Sequence, residues 1–194
     1  MDDDRTLRTA RMRWRAAEDR LFPSLLTAPA SYQRGVTAMQ AVVTELRRRG
    51  GGPQGLLAAE ASAGEVVATA CPDGAGLPPD LLVAVACGTV DRELTAQREQ
   101  RRRSAALAAA RAAGEAWAVV DGPRDVEELT EGRTVWVHLA SGAVVLATAV
   151  PWGREAAYGL EVSPGGAARS FADRAEWLAE VAAVRRRVQS GTAP

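Results

Sequence analysis

The sequence contains no lysine, no isoleucine and no asparagine, a single histidine and only two cysteines. Without lysine there is no amine for a Schiff base or a pyridoxal-phosphate linkage. The glycine-rich stretch at residues 50–55 likewise lacks the Gly-Lys-Ser/Thr that lets a P-loop cradle phosphate. With His138 alone, paired-histidine metal sites and histidine relays cannot be assembled. Cys71 and Cys87 are too few for a disulfide framework and read as buried small hydrophobes of a reducing compartment. A Gly-x-Ser-x-Gly nucleophile elbow and the Asp-x-Asp-x-Asp-Gly pattern of a calcium loop are also missing. No apolar run approaches the roughly 20 residues that cross a bilayer, since the richest, Leu81 to Cys87, stops at Gly88. The opening Met1-Asp2-Asp3-Asp4 leads into arginine-studded sequence without the apolar core of a secretory signal, so a cytoplasmic location is expected.

What is present is alanine, about a fifth of the chain, and arginine, which supplies every basic residue. The three missing residue types share A/T-rich codons. The composition therefore points to a GC-rich bacterial genome, and the arginine clusters need not be selected for the bidentate guanidinium. The 194 residues are 47% hydrophobic and 25% charged, with 24 basic and 24 acidic groups. A chain of this length removes about 70% of its unfolded surface from water, enough for one sizeable core or two smaller ones.

Leu7, Ala10, Trp14, Ala17 and Leu21 recur at spacings of three and four and predict a helix over residues 3–21, with Asp2 to Asp4 at its positive end. Pro23 and Pro29 interrupt the pattern. It resumes as Tyr32, Val36, Met39, Val43 and Leu46, with Ser31 as a cap and the glycines at 50–52 as a stop. The two seams predict a helical hairpin. Residues 53–70, carrying Leu57, Ala63, Val67 and Ala70, read as one further helix despite Gly64. Cys71 to Pro79 is a loop. From Asp80 a helical pattern continues to Ala113, with a seam of Val83, Cys87, Val90 and Leu94 that turns polar between Gln97 and Arg103; a projecting helix with a solvated waist is expected.

After Ala116 the period falls to two. Trp117–Val120, Thr134–Leu139, Ala143–Val150 and Tyr158–Val162 predict a four-stranded antiparallel meander, with Ser141-Gly142 as a tight turn. Phe171 to Val188 predicts a covering helix. The fold class is α+β, with a helical region to residue 114 and a sheet with its helix over 115–194.

Arg98, Arg101, Arg102 and Arg103 on the long helix are the candidate nucleic-acid contacts, with further clusters at Arg47 to Arg49 and Arg185 to Arg187. Zero net charge, the absence of interleaved aromatics and an expected Glu99–Arg103 pair at i,i+4 favour solvated helix faces instead. Cys71, Cys87 and His138 are zinc-ligand types at spacings that match no ligand motif, so no metal and no cofactor are expected. The acids Asp121, Asp125, Glu127, Glu128 and Glu131 read as a solvated connector.

One strand is more informative. Thr134, Trp136 and His138 share one face of it, and Val135, Val137 and Leu139 the other. The aliphatic face suits the last helix, which leaves the Trp136 face to pack on the helical half or to stand open. With Trp117 and Tyr158, Trp136 and His138 form the candidate interaction surface. Residues 1–50 hold ten arginines and six acids, residues 115–168 three and eight, so the two halves attract one another within a molecule or between subunits. These features point to a non-enzymatic protein-interaction or assembly module whose partner is another protein or a second copy of the chain. Nucleic acid binding through the arginine-bearing helix is the alternative, and a small-ligand pocket between sheet and helices the third reading. No membrane partner is expected.

Overall fold

A computed structural model of the chain describes residues 2–25, 29–73, 76–152 and 155–191. The contacts divide the chain into two compact units, Met1–Arg98 and Glu99–Pro194, each with its own core. The expected division at residue 114 thus lies beyond the observed one, which falls inside a helix. Gly74 and the side chains of Asp2, Asp3 and Ser31 lie outside what is described.

The first unit is built from α1 (Asp2–Leu25), α2 (Pro29–Arg49), α3 (Gly52–Ala61), α4 (Ala63–Ala70) and the first part of α5 (Pro79–Ala112). In α1 the predicted stripe is the buried one: Ala10, Trp14, Ala17 and Leu21 enter the core, with Leu7 packed beside it. The helix continues past Pro23, near its end, where few ladder bonds are left to lose. Helix α2 starts at Pro29, so Ser31 stands within its first turn and not at a cap position. Its buried stripe is Ala38, Val42, Val43 and Leu46, rotated from the expected one: Tyr32 is exposed, and Val36 and Met39 are half-buried. Adjacent apolar pairs such as Val42-Val43 leave the seam undetermined by about one residue, and packing of α2 against α1, α3 and α4 sets it.

Residues 52–70 form two helices, not one. The Ser62 amide still donates to the Ala58 carbonyl at 3.2 Å, but the backbone leaves helical geometry at that residue, at φ −114° and ψ 37°. Leu56, Ala59, Ala63, Val66 and Val67 face the core, and Leu57 is only half-buried. Helix α5 is buried on every side from Leu82 to Gly88, which makes the richest apolar run of the sequence the centre of the helical core. Gly88 permits a close crossing there: a Cβ on it would stand 3.3 Å from Trp14 Cβ and 3.4 Å from Glu18 Oε1.

Glu45 is drawn inward on α2 and accepts from Arg48 and Arg49 at 2.7 and 2.8 Å, and these hydrogen bonds lower its carboxyl from near 4.5 to about 2. Because the folded value is the lower one, the stabilisation is present above about pH 4.5 and is lost as pH falls towards 2. Glu45→Gln is therefore expected to flatten the acid limb of a stability–pH profile over that window, while leaving its shape above pH 5 unchanged, as read by denaturant midpoints.

The second unit holds the rest of α5, an antiparallel sheet ordered β1-β2-β3-β4-β5, and α6 (Arg174–Gln189). The strands are β1 (Trp117–Asp121), β2 (Gly132–His138), β3 (Val144–Trp152), β4 (Glu155–Ser163) and β5 (Arg169–Phe171). The meander is as expected, but it has five strands, not four. The expectation misses β5 because three residues are too few to show a period, and it assigns Phe171 to the helix. Phe171 instead pairs opposite Tyr158 on β4, and α6 begins after Asp173, whose carboxylate accepts from the Glu176 amide at 2.8 Å. The β2–β3 connection is also wider than a two-residue turn: His138 pairs with Ala143, and the Gly142 amide donates to the His138 carbonyl at 2.8 Å.

Candidate interaction surface

Strand register decides which side chains share a face. Trp117 lies opposite His138, Val119 opposite Trp136, and Trp136 opposite Val145, which lies opposite Val162 on β4. This face is the one α6 covers. Trp177, Val181, Val184 and Val188, at spacings of four, three and four, form the stripe that packs on Trp117, Trp136, Val145, Leu160 and Val162. The expected assignment, with the helix on the Val135 and Val137 face, is therefore reversed. Both faces of β2 are apolar, so alternation alone could not say which one the helix takes. Val135, Val137 and Ala118 are buried too, whereas on the same side Glu161, Ser163 and Ser170 are exposed.

Of the four candidate surface residues, Trp136 is wholly buried, Trp117 and His138 are buried, and Tyr158 is half-buried with its ring 5.0 Å from that of Trp177. The His138 ring is 4.9 Å from Trp117, and its Nδ1 is hydrogen-bonded to the Ser141 hydroxyl at 2.9 Å. Trp136 Nε1 donates to the Arg124 carbonyl at 3.2 Å. Trp117, Trp136 and His138 lie in the interior on the face α6 covers, while Tyr158 sits towards the other end of that face, two strands away, against Trp177.

Arg185, which the sequence reading grouped with Arg186 and Arg187 as a possible phosphate contact, instead completes that cluster. Its guanidinium lies 4.8 Å from the Trp136 ring centroid and 5.3 Å from that of Trp117, and it donates to the Arg124 carbonyl at 3.2 Å. Burial pushes it down from its usual value, opposed by Asp125 and Glu127. The link fastens α6 to the β1–β2 connection, whose 3-10 turn Val126–Glu128 sinks Val126 and Leu129 into the core. Arg174 donates to the Leu129 carbonyl at 2.8 Å and holds the same segment from the other end of α6. Gly122 is required on that path: it has φ +80°, and a Cβ would meet Thr134 Oγ1 at 2.2 Å. The acids of the connector are turned outward. Asp121 pairs with Arg102 at 3.2 Å, while Asp125, Glu127, Glu128 and Glu131 are exposed and have no ion-pair partner among the described residues.

The arginine clusters separate clearly. Arg47 pairs with Glu93, Arg48 and Arg49 with Glu45, and Arg187 with Glu180. On α5, Arg92 pairs with Glu18, and of the four candidate contacts Arg102 pairs with Asp121. Arg98, Arg101 and Arg103 are exposed without one among the described residues, and the expected Glu99–Arg103 pair is not formed. Helix α5 is continuous, and every residue from Thr95 to Ala105 is exposed, as the polar waist predicts.

Cys87 is buried with its thiol directed at the Leu56 carbonyl, 3.6 Å away, and burial pushes it up to about 12. Cys71 is half-buried beside the Ala38 carbonyl. Among the described residues no group of three or more His, Cys, Asp or Glu side chains is placed to hold a metal ion. A thiol titration of native protein is expected to label Cys71 slowly and to reach Cys87 only after unfolding.

Within the second unit a groove of about 470 Å³ runs between Ala106, Ala109 and Ala110 of α5, with Ala113 just past its end, and Val119, Gly122 and Arg124, with the Glu115–Arg124 ion pair on its rim. His138 is not among its walls, and it brings together no nucleophile and base. Comparison with protein-family models, with curated proteins and with solved structures returned no match.

Proposed function

We propose that this chain is a non-enzymatic protein-interaction or assembly module, working in the cytoplasm of a GC-rich bacterium. The observation that carries the reading is the middle of α5. An isolated helix of about a dozen residues is marginal in water, because most helix stability comes from packing an apolar face. The stretch Thr95–Ala105 has no such face against its own chain, yet it lies in a helix whose Leu82–Gly88 segment is buried in the first core and whose Ala110 is buried in the second unit. Three turns of helix are thereby presented to solvent on all sides, a form suited to being grasped by another macromolecule. Light scattering across a concentration series, together with affinity capture from native lysate with and without nuclease, tests this. A self-associated species or a nuclease-resistant protein partner is expected. A strict monomer that captures no protein would remove the reading.

A second reading follows from Arg98, Arg101 and Arg103, which are exposed, have no carboxylate partner among the described residues and can meet phosphates. If nucleic acid is the partner, the protein purified at low salt carries a raised 260/280 nm absorbance ratio, and binding weakens steeply as salt rises. An ordinary ratio and salt-insensitive behaviour would exclude it.

A further inference from the structure

The outer face of α1 is a second feature without a role in the fold. Its inner stripe is in the core, and two of its arginines are committed, Arg11 to Asp91 at 2.7 Å and Arg13 to Glu60 at 2.7 Å. Opposite the stripe stand Arg5, Arg8, Met12 and Arg15, all exposed. Met12 is 63% exposed, more than the other exposed large hydrophobics Tyr32 and Val150. Arg5, Arg8 and Arg15 have no carboxylate partner among the described residues. A groove of about 350 Å³ runs along Arg8, Arg11, Met12, Arg15, Ala16 and Asp19. An apolar side chain flanked by unpaired guanidiniums is suited to an acidic partner.

The same chain offers one. The connector 125–131 carries Asp125, Glu127, Glu128 and Glu131 exposed and without an ion-pair partner among the described residues, although Asp125 and Glu127 lie within electrostatic reach of Arg185, on a turn already ordered by buried Val126 and Leu129 and by the bonds from Arg174 and Arg185. Ordering before contact removes most of the entropic cost of docking a loop. Arg8 and Arg15 are two turns apart, about 10 Å along the helix axis, a span that carboxylates on a short turn and its flank can bridge.

We propose that the outer face of α1 docks the acidic connector 125–131 of a second copy of this chain. The proposal rests on the assembly reading above and supplies its interface. The contact is heterologous, basic face to acidic turn, so it generates chains or closed rings and not a self-complementary patch. Its long-range part is screened over about 10 Å at 0.1 M salt, so the assembly is salt-sensitive.

Sedimentation velocity on four samples tests it: the wild type, Arg8→Glu/Arg15→Glu, Glu127→Arg/Glu128→Arg, and an equimolar mixture of the two variants. Circular dichroism confirms that each is folded. The wild type is expected to associate at 50 mM salt and to disperse at 500 mM. Each variant alone is expected to be monomeric at both, and the mixture to recover association at low salt, because the reversed charges again oppose one another. Association that neither reversal weakens would overturn this interface and leave the assembly reading standing. A monomeric wild type overturns the interface outright; if lysate capture is also empty, the assembly reading falls with it. If both variants lose thermal stability and the mixture does not restore association, the two surfaces meet within one molecule and the proposal fails.

Discussion

Trp136→Ala is expected to destabilise the sheet unit by about 3–5 kcal/mol, the range for truncating a fully buried large aromatic. The side chain has no exposed surface and packs among Val145, Val162 and the α6 stripe. Its loss opens a cavity that a five-stranded sheet held by its ladder cannot collapse to fill. Two further contacts go with it: the Nε1 bond to the Arg124 carbonyl and one of the two rings on which Arg185 lies. Trp136→Phe separates these contributions, keeping most of the volume and removing the donor, at a cost nearer 1–2 kcal/mol. Denaturant midpoints followed by circular dichroism measure both. A Trp136→Ala protein unchanged in midpoint would mean that α6 does not rest on this face.

Leu82→Ala is expected to cost the helical unit about 2–5 kcal/mol. Leu82 is wholly buried in the one stretch of α5 that has no solvent face, so its neighbours approach from every direction and none can relax outward. An equivalent truncation at half-buried Leu94, where α5 begins to emerge, is expected to cost less than half as much. The comparison is a direct measure of where the helix leaves its core, and it needs no assay of function. Equal losses at the two positions would contradict the burial gradient along α5.

Much of this architecture is legible in the residue pattern. The α1 stripe, the continuity of α5 with its solvated waist, and the four longer strands from Trp117 onward follow from period and breakers, because backbone geometry alone sets which residues share a face, while the expected loop end at Pro79 is instead the first residue of α5. The same rule places Trp117, Trp136 and His138 together. The break at Ser62 and the three-residue β5 escape it, the first because it is a departure from helical angles at a single residue and the second because it is too short to have a period.

Period says which side chains share a face but not what covers that face. That α6 covers the Trp136 side, that Arg185 lies across two indoles, that Arg11 finds Asp91 80 positions away, and that Arg47 finds Glu93 while Arg98, Arg101 and Arg103 find no carboxylate among the described residues all depend on where elements cross. Composition and spacing thus settled the longer elements and their order, but not the split of α3 from α4 or the short β5. Burial and charge pairing, which decide what surface remains for a partner, arose only when distant segments were brought together, because solvent access and Coulomb energy are properties of distance in space and not of distance along the chain.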